Sequence, residues 1–399
     1  MAERHQLPPQ IKRIELEGRA GGRPVVRYQL TVGIGMVDGK RKQLRKRYPA
    51  QAAARKALDG IRGAVATGTY VHPSKTTLRQ ACEDWLESKH RLKPSTLHGH
   101  KEKLSPVIAE LGHLEVQRLT KRQVDNLVTA LRAGGLRSPT EKVRKAWSPR
   151  SVNYTLSLLT AVLEDQQKQG NLVRNVAALV DRVTGDPKPS ATLTEGEVEQ
   201  IEKHTADDRY RIAWQLALAG LRRGEIAGLR WEDVDLEAKT LTIARNRIAF
   251  GQQLAEGTPK SKASVRALPL PEHLVAALKA TKKLQSAERL ALGGAYRASG
   301  YVVVNEAGAP LSPSAISSRW EHVLKGAGVR KVRLHDARHT CGTLMHLKGV
   351  PIAVVAAWLG HASSAFTQAV YTHSQPDAMK AAAQSFTRVV TNRDNSGSW

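Results

Sequence analysis

The sequence predicts an α+β multidomain protein: a small β-sheet-plus-helix N-terminal domain, an all-helical domain after it, and a mixed α/β domain filling the second half. Three observations carry this prediction. Apolar residues alternate with period two in the first 70 residues, they recur at helical spacing between 75 and 180, and capped helices mix with short alternating runs from 193 onward. At 399 residues the chain is long enough for two or three buried cores.

Residues 23–34, RPVVRYQLTVGI, alternate and are β-rich. The D-G pair at 38–39 then turns the chain into a basic strand, and AQAAARKALDGIRGA, 50–64, reads as a helix. The strand holds six basic residues within Lys40–Arg47, namely Lys40, Arg41, Lys42, Arg45, Lys46 and Arg47. That density is unusual for an ordinary solvated face, and a basic β-ribbon fits a DNA groove. Thr77 precedes LRQACEDWLESKHR, and amphipathic stretches follow at about 95–111, 120–134 and 149–168, the last starting at Ser148-Pro149. Residues 181–192, DRVTGDPKPSAT, contain two prolines and no apolar period, which reads as a linker between a 75–180 domain and a 193–390 domain. The last domain opens on the capping pattern Thr194-x-x-Glu197. The helix RYRIAWQLALAG, the turn LRRGEIAGLRW, the strand KTLTIA and a hairpin across GTPKSKASVRALPLP come next, and helices occupy most of the remainder.

The formal net charge is +26, divided as +10 over residues 1–70, +8 over 71–190 and +8 over 191–399. A positive excess in every segment points to one long polyanion touching every domain, and nucleic acid is the expected partner. Cys82 and Cys341 lie far apart and outside any C-x-x-C, which argues against a disulfide framework or a cysteine zinc site. The first residues, MAERHQLPPQIKRIELEG, lack the apolar run of a signal peptide, and no stretch approaches 18 uninterrupted apolar residues, so a cytoplasmic protein without a membrane span is expected.

Three segments of the last domain set cations beside apolar runs, and a fourth holds a tyrosine. Arg222 follows an apolar helix at a Gly-Leu-Arg turn, His335 and Arg338 lie one turn apart in RLHDARHTCGTLM, and His361 follows the glycine stop of WLGH. Tyr371 stands ten residues beyond His361. A free phenol titrates near pH 10, so it attacks at neutral pH only among cations and a proton acceptor. Two guanidiniums, two imidazoles and a phenol suit a phosphodiester: arginine forks match the nonbridging oxygens, and histidines donate or accept a proton. Lys260 or Lys262 can supply the acid that protonates the departing sugar oxygen. Singly, each residue has a plainer role: Glu225 can pair with Arg222, and Tyr371 can be core packing. His335 and His339 stand four apart as in H-E-x-x-H zinc helices, yet Asp336 intervenes and no third ligand is apparent, so no metal is expected. VGIGMVDG lacks the third glycine and the βαβ setting of a dinucleotide loop.

The order and spacing of the four segments resemble the tyrosine recombinase family, specifically phage-type integrases, over about residues 190–385. The resemblance implies that Arg222, His335, Arg338, His361 and Tyr371 take the catalytic positions, with Tyr371 as nucleophile. PKSKASVRALPLP is similar to the family's P-K-T-K-x-x-x-R, which assigns Lys260 as the general acid with Lys262 as runner-up. Glu225 matches an acidic position of structural support, and Ala337 replaces the commoner leucine of H-x-L-R. By the same resemblance, 75–180 is a core-site-binding domain, 1–70 an arm-site-binding domain, and the helix read in 377–390 a tail that docks on a neighbouring protomer or on its own core. The activity so implied is site-specific recombination through a 3′-phosphotyrosyl link without metal, ATP or other cofactor. A homotetramer would perform it on core and arm attachment sites of double-stranded DNA, on the nucleoid of a bacterial cytoplasm, with a DNA-bending host protein and a directionality factor as accessory partners. Two other readings share part of the pattern: a type IB topoisomerase, and a noncatalytic DNA-binding regulator.

Overall fold

The computed structural model describes residues 7–20, 23–37, 40–67, 70–138, 142–185, 191–251, 253–257 and 265–361. The chain divides into two compact units, Met1–Asp186 and Pro187–Trp399.

In the first unit an antiparallel sheet runs in the order β1 (Ile11–Ala20), β2 (Arg23–Val37), β3 (Lys40–Tyr48). Helix α1 (Gln51–Ala66) covers one face, and Leu30 of β2 is buried with Ile11, Ala54 and Leu58 in a small core. Strand β1 was not expected from the sequence: its charged residues mask a short alternation at Ile14 and Leu16. Four helices make a separate core: α2 (Leu78–Glu87), α3 (Pro94–Leu111), α4 (Lys121–Ala133) and α5 (Pro149–Lys168). Their ends are written locally. Thr77 and Thr120 each cap a helix reciprocally with a glutamine three residues on, while Ser148 caps α5 with proline at its first turn.

The second unit opens with α6 (Glu195–His204), capped by Thr194 and Glu197 as the sequence pattern requires. Helices α7 (Arg211–Leu218) and α8 (Arg223–Gly228) lead into strands β4 (Val234–Asp235), β5 (Thr240–Ile243), β6 (Asn246–Phe250), β7 (Gln253–Gly257) and β8 (Arg266–Pro269). Helices α9 (Glu272–Leu292), α10 (Pro313–Gly326), α11 (Leu334–Leu347) and α12 (Ile352–Leu359) follow. Two strand assignments correct the sequence reading. The hairpin is β6–β7, and β8 pairs instead with β5 in a sheet of order β4-β5-β8. Trp214 of α7 and Trp320 of α10, 5.9 Å apart between ring centroids, sit in the common core of this unit. Gly224 is where β6 meets α8: a Cβ there would lie 1.8 Å from Asn246 Oδ1 and 2.6 Å from Arg247 O, so only glycine lets the strand approach. Among the described residues, no helix is long and apolar enough to cross a membrane.

Candidate functional site

Helix α12 ends at Gly360, whose left-handed backbone (φ 62°, ψ 50°) stops the helix and turns the chain toward His361. The turn's carbonyls gather cations. Arg222 Nη2 donates to Gly360 O at 2.8 Å, and Arg338 Nη2 donates to Leu359 O. Arg338 Nη1 also donates to Gly220 O at 2.7 Å, so one guanidinium ties the α7–α8 turn to the end of α12. Arg338 is only 2% exposed, whereas the Arg222 side chain keeps 33% of its surface open.

Glu225 aims Arg222. It accepts the Arg222 main-chain N–H at 2.9 Å and Arg222 Nη1 at 2.6 Å, closing the first turn of α8. Burial alone would raise its carboxyl, but Arg266, followed by the Arg222 N–H and guanidinium, holds it below its usual range. The sequence motif therefore contains both the bland pairing and its use: the buried carboxylate fixes where a half-open guanidinium points.

His361 sits half-buried beside these groups. Burial first, then Arg338, Arg222, His339 and Arg266, push its imidazole down to about 4, so it is neutral at pH 7 and offers one donor and one acceptor. His335 stands at the open surface of α11 with its ring edge-on to that of His339, centroids 5.0 Å apart. Its packing and the neighbouring His339 and Arg338 depress it as well. His335 and Arg222 line one open cleft of about 570 Å³ together with Arg223, Asn246, Ser317 and Arg333. Asp336 has a capping task at the start of α11, accepting the Arg333 N–H at 2.9 Å and an Arg333 guanidinium nitrogen at 2.7 Å. That occupies the carboxylate of the H-D-x-x-H stretch away from any zinc-like role.

Arg222, Glu225, Arg338 and His361 thus converge on one turn, and His335 shares a cleft with Arg222. Tyr371, Lys260, Lys262 and the 377–390 stretch lie outside the described residues, as do the side chains of Lys40, Arg41 and Lys42. Arg45, Lys46 and Arg47 are exposed on β3. Two residues near the turn have no role in the sequence pattern. Arg266 is the final basic residue of the P-K-S-K-A-S-V-R stretch, and His339 enters the pattern only as a metal-ligand spacing with His335. His339 is half-buried with Nδ1 unpartnered among the described residues.

A family model described as the phage integrase family matches residues 191–377. A tyrosine recombinase XerC-like protein of Caldanaerobacter subterraneus subsp. tengcongensis is 28% identical over 378 residues, covering 88% of this chain and 93% of the relative. A putative prophage phiRv2 integrase of Mycobacterium tuberculosis is 24% identical and covers 78% of each chain. Among solved structures, the Tn1549 transposon integrase in complex with a circular intermediate DNA aligns with a TM-score of 0.63 at 18% identity, over 78% of this chain and 99% of that one. A lambda integrase tetramer bound to a Holliday junction aligns with a TM-score of 0.57 at 18% identity, over 92% and 96%. These structural likenesses establish a shared fold.

Proposed function

Because the chain belongs to the phage integrase family of tyrosine recombinases, we propose that its site-specific recombination runs through Tyr371 as nucleophile, with Arg222, Arg338, His335 and His361 surrounding the scissile phosphate. Tyr371 Oη attacks phosphorus, a 3′-phosphotyrosyl bond forms, and the bond to the 5′-oxygen breaks. Lys260, with Lys262 as second choice, gives that oxygen its proton. The freed 5′-hydroxyl of the partner strand then reverses the step, so the bond energy is conserved and neither metal nor ATP is required. Arg222 and Arg338 neutralise charge developing on the nonbridging oxygens, while His361 and His335, neutral in the free protein, exchange hydrogen bonds with phosphate or phenol. The observation that carries this reading is the shared turn: both guanidiniums bind consecutive carbonyls, Leu359 O and Gly360 O, immediately before His361.

The finer assignments extend this scheme. The 75–180 helices grip core sites, the 1–70 sheet binds arm sites, and a homotetramer carries out paired strand exchanges in a bacterial cytoplasm. A DNA-bending protein and a directionality factor are the accessory partners. Relatives and structural neighbours that are integrases and recombinases leave the topoisomerase and regulator readings without support of their own.

Tyr371→Phe removes only the attacking oxygen. On a nicked core-site duplex it should bind like wild type and form no covalent adduct; an adduct from the Phe variant, or wild-type cleavage abolished by EDTA, would overturn the scheme.

A further inference from the structure

Glu225 holds a second guanidinium. Strand β8 delivers Arg266, whose Nε donates to Trp358 O at 2.6 Å and whose terminal nitrogens lie 3.4 and 3.2 Å from the two Glu225 oxygens. Its side chain is 7% exposed, and it does not line the cleft that holds Arg222 and His335. Arg266 reaches the site through Glu225 and Trp358 O. Its contacts suggest what it does there. A lone Arg222–Glu225 pair would be net neutral and a weak counter-charge for a phosphate. With the one carboxylate shared between two arginines, the trio carries +1, and its exposed member faces the cleft.

We propose that Arg266 is a positioning residue for strand cleavage: by sharing Glu225 and holding Trp358 O, it keeps Arg222 aimed and cationic toward the scissile phosphate and fixes the turn before His361. The proposal rests on Arg222 facing that phosphate. Its sign is specific, because it predicts a defect that depends on the charge of the substrate.

The test compares single-turnover cleavage by the full chain on two nicked duplexes bearing the crossover sequence read from the element's chromosomal junctions. One duplex carries an ordinary scissile phosphodiester; in the other, a methylphosphonate replaces a nonbridging oxygen with a methyl group and removes the negative charge. Arg266→Gln should slow phosphodiester cleavage about 10- to 100-fold with DNA affinity unchanged, as expected for loss of preorganised charge, and should slow the methylphosphonate reaction only about 3-fold or less. Glu225→Gln combined with Arg266→Gln returns the group to +1 and leaves no unpaired buried carboxylate, so it should fold and regain phosphodiester cleavage relative to Arg266→Gln alone. Equal slowing on both substrates, or no recovery in the double variant, overturns the proposal. Arg222→Ala is run in parallel: if methylphosphonate fails to rescue it, the premise about Arg222 falls, whereas rescue of Arg222→Ala without rescue of Arg266→Gln sinks only the role of Arg266.

Discussion

Cations are built into the two units of this chain in opposite ways. At the α12 turn every guanidinium described has assigned acceptors, Gly220 O and Leu359 O for Arg338, Glu225 and Gly360 O for Arg222, and burial deepens from Arg222 to Arg338. On β3, Arg45 and Arg47 are exposed and, among the described residues, have no carboxylate partner. Preorganised charge loses no reorganisation energy when a phosphate develops extra charge, and so it serves a transition state. Solvated charge releases counterions on contact and serves affinity alone. On the proposed scheme the contrast separates a chemical site from an electrostatic grip within one +26 protein.

The largest effect that can break this contrast lies at Arg338. On the proposed scheme Arg338→Ala removes a phosphate donor, and it leaves Gly220 O and Leu359 O without their buried partner, so cleavage should fall about 100- to 1000-fold and the unfolding free energy by about 2–4 kcal/mol. Arg222→Ala, at a third-exposed position, should lose cleavage by a similar factor with a much smaller change in melting temperature. Cleavage assays beside thermal melts distinguish the two; equal stability losses would mean that the two arginines are not graded in structural role.

The same comparison explains what the sequence made legible. Helices α2–α6 could be placed because caps and apolar spacing act within four residues, and Thr77, Thr194 and Ser148 mark their starts. The arginine and histidine positions were legible because short motifs bracket them. Arg266 was not, because its partner Glu225 is 41 residues away on α8, and the contact forms only in the folded unit, where Arg266 sits opposite Ile243 in the β5–β8 pair. The hairpin was misplaced for the same reason: a strand's partner is set by tertiary pairing, which period-two alternation does not encode.

A smaller effect concerns acidity. His361 has an ordinary value near 6.5 when unfolded and about 4 when folded, so between those limits the unfolded chain binds the extra proton. Its contribution therefore works against stability as pH falls from about 6.5 to about 4 and is absent above that window. His335 adds in the same direction. Melting temperatures of the free protein at pH 7, 6, 5 and 4 should decline, and His361→Gln should flatten that decline. An unchanged slope in the variant would show that His361 does not titrate in this window; DNA is omitted because a bound phosphate would itself raise the imidazole.

The smallest expected effect belongs to the ribbon, and strand geometry makes it specific. Residues directly opposite in an antiparallel pair share a face, and Lys46 is opposite Leu30, whose side is buried against Ala54 and Leu58 of α1. Lys46 therefore lies on the helix side, its ammonium 5.7 Å from the Tyr48 ring centroid, while Arg45 and Arg47, opposite Thr31 and Gln29, project from the other face. A groove or phosphate track cannot meet all three at once. Each phosphate neutralised adds roughly 0.9 to the log–log salt slope, so Arg45→Ala with Arg47→Ala should lower the slope on full-length attachment DNA by about 1.8 while core-site cleavage and melting temperature stay unchanged. Lys46→Ala should leave the slope nearly intact. Binding isotherms across salt concentrations measure both, and a Lys46→Ala decrement as large as that of one arginine would show that β3 acts as an undifferentiated basic arm with no DNA-facing side.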